Sequence, residues 1–139
     1  MNRILYTEET LRLMALFEKV TSAQLKDCFF LREKIIFLVD EGEIGRALGK
    51  NKMNVTKLDR LLQRKFKIVE YKPEMLQFIV NIMAPLKVLE IREENGIVTV
   101  SGPDEKTRGL MIGAKAQNLR EYEKAIQKFF PELKEIKVI

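Results

Sequence analysis

The 139-residue sequence contains no histidine and a single cysteine, Cys28. Histidine is the commonest general base in enzymes and a frequent metal ligand, and thiolate zinc clusters need several cysteines. The sequence also has no P-loop and no dinucleotide-binding glycine motif. We therefore expect no enzymatic activity, no catalytic residue, no metal and no cofactor. A lone cysteine excludes an internal disulfide and fits a reducing cytoplasm, so we expect Cys28 to fill an apolar position in a strand.

Long apolar runs are absent as well. No segment approaches the roughly 20 consecutive apolar residues of a transmembrane helix, and residues 1–5 lack the apolar stretch of a signal peptide. We therefore expect a cytoplasmic protein that does not contact membranes. With 46% hydrophobic and 32% charged residues, the composition is typical of a globular protein with a buried core.

The charge balance is mildly basic. Lys and Arg outnumber Asp and Glu by 25 to 20, which gives a net charge of +5. Such an excess favours an anionic partner when the basic residues are clustered, and nucleic acid is a commoner partner than a membrane surface.

The predicted elements occur in the same order in both halves of the sequence. In the first half we expect a helix over 8–21, strands over 25–31 and 35–39, a short helix over 43–48, a loop, a helix carrying the stripe Val55, Leu58, Leu62 and Phe66, and a strand over 66–71. In the second half we expect a helix from Pro73, strands over 87–92 and 97–101 around a Glu94–Asn95–Gly96 turn, a short helix to Ile112, a loop, a helix running towards Phe130, and a strand over 133–139.

Identical residues at a constant spacing support an internal repeat. Gly45, Gly49, Asn54 and Gln63 recur 64 residues later as Gly109, Gly113, Asn118 and Gln127. We therefore predict two modules, residues 1–72 and 73–139. Because only Lys72 and Pro73 separate them, we expect the modules to pack as one rigid unit, and we expect the protein to be a monomer.

A helix, a loop and a second helix are the features that the two modules share most clearly. In each module a short helix ends at a glycine, a small polar and basic loop follows, and an asparagine lies at the start of the next helix. The first N–H groups of a helix are unpaired and carry partial positive charge, so a tight loop before them can hold a phosphate. The sequence therefore predicts two sites for a sugar-phosphate backbone.

These segments resemble a known RNA-binding family. Residues 47–55 (ALGKNKMNV) and 111–119 (MIGAKAQNL) are similar to the I-G-x-x-G-x-N segment of type II KH domains, and the order of elements is the same. The chain as a whole resembles the archaeal NusA-like proteins. The resemblance implies an α+β fold of two tandem KH type II modules, each α-β-β-α-α-β, that binds single-stranded RNA. It also implies a role in transcription elongation, as a termination or antitermination factor, with RNA polymerase or nascent transcript complexes as further partners.

The resemblance also implies which residues contact RNA. Carried over by position, the RNA-binding residues are Gly49, Lys50, Asn51, Lys52, Asn54, Lys57, Gly113, Ala114, Lys115, Ala116, Asn118 and Arg120. The fourth loop position is usually glycine in the family, whereas this sequence has Lys52 and Ala116 there. A side chain at that position costs on the order of 1 kcal/mol if its φ must be positive.

Several interpretations stay open at this point. Gly45 and Gly109 permit close approach either of RNA or of a neighbouring helix, and the two asparagines brace the loops more readily than they contact bases. We expect the aromatic residues to lie in the core and Lys65 and Lys67 to lie on a solvated face. The alternative function is a protein-interaction module that keeps the KH scaffold, binds RNA weakly and docks on RNA polymerase or the ribosome.

Overall fold

The computed structural model describes residues 6–139. The prediction about a signal peptide concerns residues 1–5, which lie outside the described residues. The chain divides into two compact units, and the boundary falls between Tyr71 and Lys72. We call the part up to Tyr71 unit 1 and the part from Lys72 unit 2, and we describe each by itself.

Both units have the element order α-β-β-α-α-β. Unit 1 contains α1 (Glu8–Thr21), β1 (Leu25–Leu31), β2 (Lys34–Val39), α2 (Ile44–Leu48), α3 (Met53–Leu62) and β3 (Phe66–Glu70). Unit 2 contains α4 (Met75–Met83), β4 (Glu90–Glu94), β5 (Ile97–Ser101), α5 (Glu105–Ile112), α6 (Gln117–Gln127) and β6 (Glu135–Val138). Each unit is thus an α+β module with the order of a type II KH domain.

Unit 1 is a three-stranded sheet with helices packed on one face. The strand order is β1-β2-β3, in which β1 and β2 are antiparallel and β2 and β3 are parallel. The ring of Phe17 from α1 stacks on that of Phe37 from β2 with centroids 4.5 Å apart, and Leu58 from α3 joins the same core. Cys28 is 2% exposed in β1, so the prediction of an apolar strand position is confirmed.

Unit 2 repeats this arrangement with strand order β4-β5-β6, in which β5 and β6 are parallel. Asn95 and Gly96 form the β4–β5 turn with φ of 54° and 85°, as a two-residue hairpin turn requires. The core includes Phe78 from α4, Ile126 from α6 and Ile136 from β6, all fully buried.

Two helices begin at a residue whose side chain caps the first turn. The Thr7 hydroxyl caps α1 by accepting a hydrogen bond of 3.2 Å from the Thr10 N–H. The Asp104 carboxylate caps α5 by accepting a hydrogen bond of 2.7 Å from the Thr107 N–H. Among residues 6–139, none of the helices is long and apolar enough to span a bilayer.

Some predicted boundaries were wrong. The helix predicted to run towards Phe130 ends at Gln127, and Phe130 lies in the turn that follows, where its N–H donates to the Ile126 carbonyl at 2.8 Å. Because that turn keeps an α-like backbone at Lys128, Phe130 stays on the apolar side although the helix has ended. In unit 1, α3 ends at Leu62, so Phe66 belongs to β3 alone.

Three further boundaries shift by a few residues. The helix predicted from Pro73 begins at Met75, after Glu74 in an extended conformation. The strand predicted over 87–92 runs over 90–94, and the last strand is shorter than predicted, over 135–138. None of these changes alters the order of elements.

Candidate nucleic-acid interface

The two loops have the same backbone conformation. We call residues 49–52 loop 1 and residues 113–116 loop 2. The first glycine has φ 76°, ψ 170° in loop 1 and φ 75°, ψ 171° in loop 2. The third residue, Asn51 or Lys115, has φ 54° in both loops, and the fourth, Lys52 or Ala116, has φ 58° or 60°. The repeat inferred from sequence therefore extends to individual backbone dihedral angles.

An asparagine holds each loop against the helix before it. The side-chain amide of Asn54 donates to the Arg46 carbonyl at 3.1 Å, and that of Asn118 donates to the Leu110 carbonyl at 2.8 Å. The asparagine lies so close to the first glycine that a Cβ on Gly49 would come within 2.8 Å of the Asn54 amide nitrogen. The glycine is thus required by both its positive φ and this contact, and the prediction that the asparagines brace the loops is confirmed.

The fourth loop position does adopt a positive φ. Lys52 and Ala116 are held there by bonds of 3.1 Å from their N–H groups to the carbonyls of Gly49 and Gly113. A left-handed conformation costs a residue with a Cβ about 1–2 kcal/mol, although asparagine tolerates it better than most. Loop 2 therefore has two strained residues, Lys115 and Ala116. Loop 1 has only Lys52, because its third residue is an asparagine, Asn51.

The helices that follow the loops have no side-chain cap. The N-cap residues of α3 and α6 are Lys52 and Ala116, and neither forms a capping hydrogen bond through its side chain. The N–H groups of Met53 and Gln117 donate to the loop carbonyls of Lys50 and Ala114, whereas the N–H groups that follow in the first turn have no side-chain acceptor, in contrast to those of α1 and α5. Such groups, beside the exposed Lys50 or Lys115, can accept an anion.

A basic groove adjoins loop 1. It has a volume of about 670 Å³ and lies between α3 and the parallel strands β2 and β3. Its polar lining contains five basic residues and one acidic residue, and its apolar lining contains four side chains. These residues are Lys34, Lys52, Arg64, Lys65 and Lys67, with Asp59, and Leu48, Val55, Phe66 and Ile68. The groove therefore offers both positive charge and apolar surface next to the loop.

The prediction for Lys67 was wrong. Lys67 is half-buried in β3 and lines this groove, as does the exposed Lys65. Burial, and secondarily the charge of Lys34, lower the pKa of Lys67 to about 8. The parallel register places Lys34 near Lys67, because their neighbours Ile35 and Phe66 are paired across the two strands. Burial thus disfavours the charged form of the Lys67 side chain.

Comparisons with known proteins agree with this geometry. The profile of the KH domain family matches residues 12–95, more than half of the chain, running from α1 through loop 1 to the β4–β5 turn. A Methanococcus vannielii protein named "Probable transcription termination protein NusA" is 36% identical over 118 residues, which are 83% of this chain and 68% of that protein. A protein of the same name from Methanocaldococcus jannaschii is 30% identical over the whole chain and 77% of its own length. The chain belongs to the archaeal NusA-like family of KH-domain proteins.

A solved structure extends the likeness over both units. The crystal structure of APE1850 superposes with a TM-score of 0.66 at 26% identity, and the match covers 96% of this chain and 100% of the other. KH domains are RNA-binding modules. That this NusA-like chain is not an enzyme follows from its family. Among residues 6–139, no group of three or more cysteine, aspartate or glutamate side chains is placed to hold a metal ion.

The remaining predicted residues of this NusA-like chain occupy different settings. Ala114 and Lys115 are exposed in loop 2, and Lys57 is exposed on α3 outside the groove lining. Arg120 is half-exposed, and one of its guanidinium nitrogens donates to both carboxylate oxygens of Glu123 at 2.5 and 2.7 Å.

Gly45 and Gly109 have open space beside them. A Cβ built on either glycine meets no atom within 4 Å. Packing of a neighbouring helix against these glycines is therefore not the reason for their presence.

Two groove residues were missed by sequence reasoning. Lys34 was placed in a turn and begins β2 instead, and Arg64 follows the end of α3. Arg64 forms an ion pair with Glu9 of α1 at 2.8 Å and lies over the ring of Phe30 at 5.4 Å. Only the parallel pairing of β2 and β3 brings these residues together, and no local pattern reports it.

The lowered pKa of Lys67 predicts a pH dependence of stability. Between pH 8 and about 10.5 the unfolded chain keeps a proton on this lysine that the folded chain has lost, so stability should rise with pH across this window. In Lys67→Met that contribution should be absent, which should make the variant relatively more stable below pH 8, by on the order of 1–2 kcal/mol after solvent screening. Urea unfolding at pH 7 and 10 measures it.

Lys19→Met, which removes an exposed lysine of α1, is the reference variant for that experiment. If Lys67→Met and wild type keep the same difference in unfolding free energy at both pH values, the lowered pKa of Lys67 is contradicted.

Proposed function

We propose that this chain binds single-stranded RNA through loops 1 and 2 and acts as a transcription termination or antitermination factor during elongation. The observation that carries the proposal is the pairing of two uncapped helix N-termini with left-handed loops of matching dihedral angles. Two sites of identical geometry fit a ligand whose phosphates repeat at regular spacing. The names of the relatives support the role in transcription.

Each loop is proposed to hold the sugar-phosphate backbone. The phosphate accepts hydrogen bonds from N–H groups in the first turn of α3 or α6 that follow Met53 or Gln117, and Lys50 or Lys115 adds charge beside it. In unit 1 the RNA strand continues from loop 1 into the basic groove, because Lys52 belongs to both loop 1 and the groove lining. There, base faces lie against Leu48, Val55 and Ile68 while lysines contact the backbone.

We further propose that the modules are residues 1–72 and 73–139 and that one RNA strand engages both. Linking two weak sites raises affinity through effective concentration, and this gain offsets the strained fourth position of each loop. RNA polymerase and nascent transcript complexes are the partners that a termination factor would meet, and we expect the protein to act as a monomer.

Acidic substitutions in the loops should remove RNA binding without unfolding the protein. Lys50→Glu with Asn51→Asp in loop 1, and Ala114→Asp with Lys115→Glu in loop 2, place negative charge where phosphate binds. Each pair should weaken binding of a short labelled RNA by about tenfold or more and reduce the dependence on salt. Fluorescence anisotropy at two salt concentrations measures both effects.

A matched control is available on α1. Ala15→Asp with Lys19→Glu makes the same chemical change as the loop 2 pair at two exposed helical positions. Unchanged RNA affinity in both loop variants would contradict the proposal and favour a KH scaffold that docks on RNA polymerase or the ribosome through protein contacts. Loss of affinity in only one loop variant would contradict the proposal that one RNA strand engages both modules.

The variants Gly45→Ala and Gly109→Ala test whether RNA approaches these glycines, because opposite changes are expected in protein stability and in RNA affinity. Alanine is favoured over glycine inside a helix by about 1 kcal/mol, and the added methyl group meets no protein atom. Both variants should therefore be slightly more stable than wild type in urea unfolding, yet bind RNA several-fold more weakly. Unchanged RNA affinity in both would show that RNA does not approach these glycines.

A further inference from the structure

Glu123 of α6 is a buried carboxylate that binds the edge of a sheet. The residue is 6% exposed, and its Oε2 accepts a hydrogen bond of 2.8 Å from the backbone N–H of Ile136 in β6. The same carboxylate binds Arg120, which is half-exposed. The carboxylate is therefore held by one backbone donor and one cation.

The Ile136 N–H lies on the outer edge of that sheet. The N–H of Glu135, at the start of β6, donates to Gly96 at 3.4 Å, and that of Ile139, directly after β6, donates to Val100 at 2.9 Å, so the N–H groups of these residues face β5. Successive residues of a strand present their backbone groups to opposite sides. Ile136 therefore faces away from β5, where an edge strand offers donors to a ligand.

Unit 1 leaves the corresponding edge to the groove. The N–H of Tyr71 donates to Val39 at 2.9 Å, as Ile139 does to Val100, so Ile68 is the counterpart of Ile136. Ile68 lines the basic groove. Asp59 is the seventh residue of α3, as Glu123 is of α6, but it is exposed, and Thr56 replaces Arg120. Among the described residues the Asp59 carboxylate has no hydrogen bond or ion pair.

Unit 1, whose sheet edge is open, is also the more basic of the two units. The sequence up to Tyr71 carries 14 Lys and Arg against 10 Asp and Glu, whereas the sequence from Lys72 carries 11 against 10. Unit 1 thus contributes +4 and unit 2 contributes +1 to the net charge of +5. A polyanion meets more positive charge on the unit whose edge is open.

We propose that RNA bases are read only at the β3 edge of unit 1, because Glu123 closes the equivalent β6 edge of unit 2. This inference rests on the proposed function. A base that approached Ile136 would have to displace a charge-assisted hydrogen bond and would leave a buried carboxylate without its partner. Unit 2 therefore holds the sugar-phosphate backbone through loop 2 without selecting a base at this edge.

Exchange of the two residue pairs between the units tests the proposal. Thr56→Arg with Asp59→Glu places the closing pair in unit 1, and Arg120→Thr with Glu123→Asp removes it from unit 2. The probes are labelled eight-nucleotide RNAs made only of A, C or U, and the readout is the ratio between their dissociation constants. Wild type should discriminate by about tenfold.

Thr56→Arg/Asp59→Glu should reduce this ratio below about twofold, although its added positive charge would by itself tighten binding of every RNA. Arg120→Thr/Glu123→Asp should increase the ratio, because a second edge then selects a base. Retained discrimination in the first variant, or an unchanged ratio in the second, would overturn the proposal. Wild type that binds RNA without base preference would overturn it and leave the proposed function standing, whereas no RNA binding would refute the proposed function.

Amide exchange in the wild type provides a test that needs no variant to fold. In the free protein the Ile136 N–H should exchange with solvent more slowly than the Ile68 N–H, because Glu123 holds it. Addition of the tightest-binding RNA should slow exchange at Ile68 and leave Ile136 unchanged. Exchange at Ile68 that does not respond to bound RNA would contradict the reading of bases at this edge.

Discussion

The hydrogen bond from an asparagine side chain to a carbonyl eight residues earlier, in the preceding helix, is the contact on which both loops depend. Asn54 reaches back to Arg46 and Asn118 to Leu110, so the start of one helix is tied to the end of the helix before it. The contact requires glycine at the first loop position, since a Cβ there would overlap the asparagine. In each unit two consecutive left-handed residues then connect the two helices.

The constraint explains why the loops agree more closely than the rest of the two units. Their dihedral angles match within a few degrees although only the glycine of the four loop residues is identical. The surroundings have diverged. Unit 1 has a groove lined by five basic residues, among them Lys67 with its lowered pKa, whereas unit 2 pairs Arg120 with Glu123 at the corresponding place. The loop backbone is thus shared, whereas the surfaces beside the two loops differ.

Local features of this fold could be predicted from the sequence, and features that depend on strand register could not. The helix over 8–21 and the strand over 97–101 follow from caps and alternation, and both are confirmed. Of the predicted Glu94–Asn95–Gly96 turn, Asn95 and Gly96 form the turn, whereas Glu94 ends β4. Phe130 was misplaced because an apolar stripe can continue through a turn that keeps an α-like backbone. The setting of Lys67 was not predictable, because it arises from the parallel pairing of strands far apart in sequence. The bond from Ile136 to Glu123 was not predictable either, because it depends on how α6 packs against the outer side of β6.

The central claim is that helix N-termini behind left-handed loops bind the RNA backbone, and a titration of the isotope-labelled protein with short single-stranded RNA tests it most directly. In ¹H–¹⁵N correlation spectra, the largest shifts are predicted for the amides of residues 50–55 and 114–119, with smaller shifts along β3. RNA binding that shifts amides elsewhere and leaves both loops unperturbed would contradict the account.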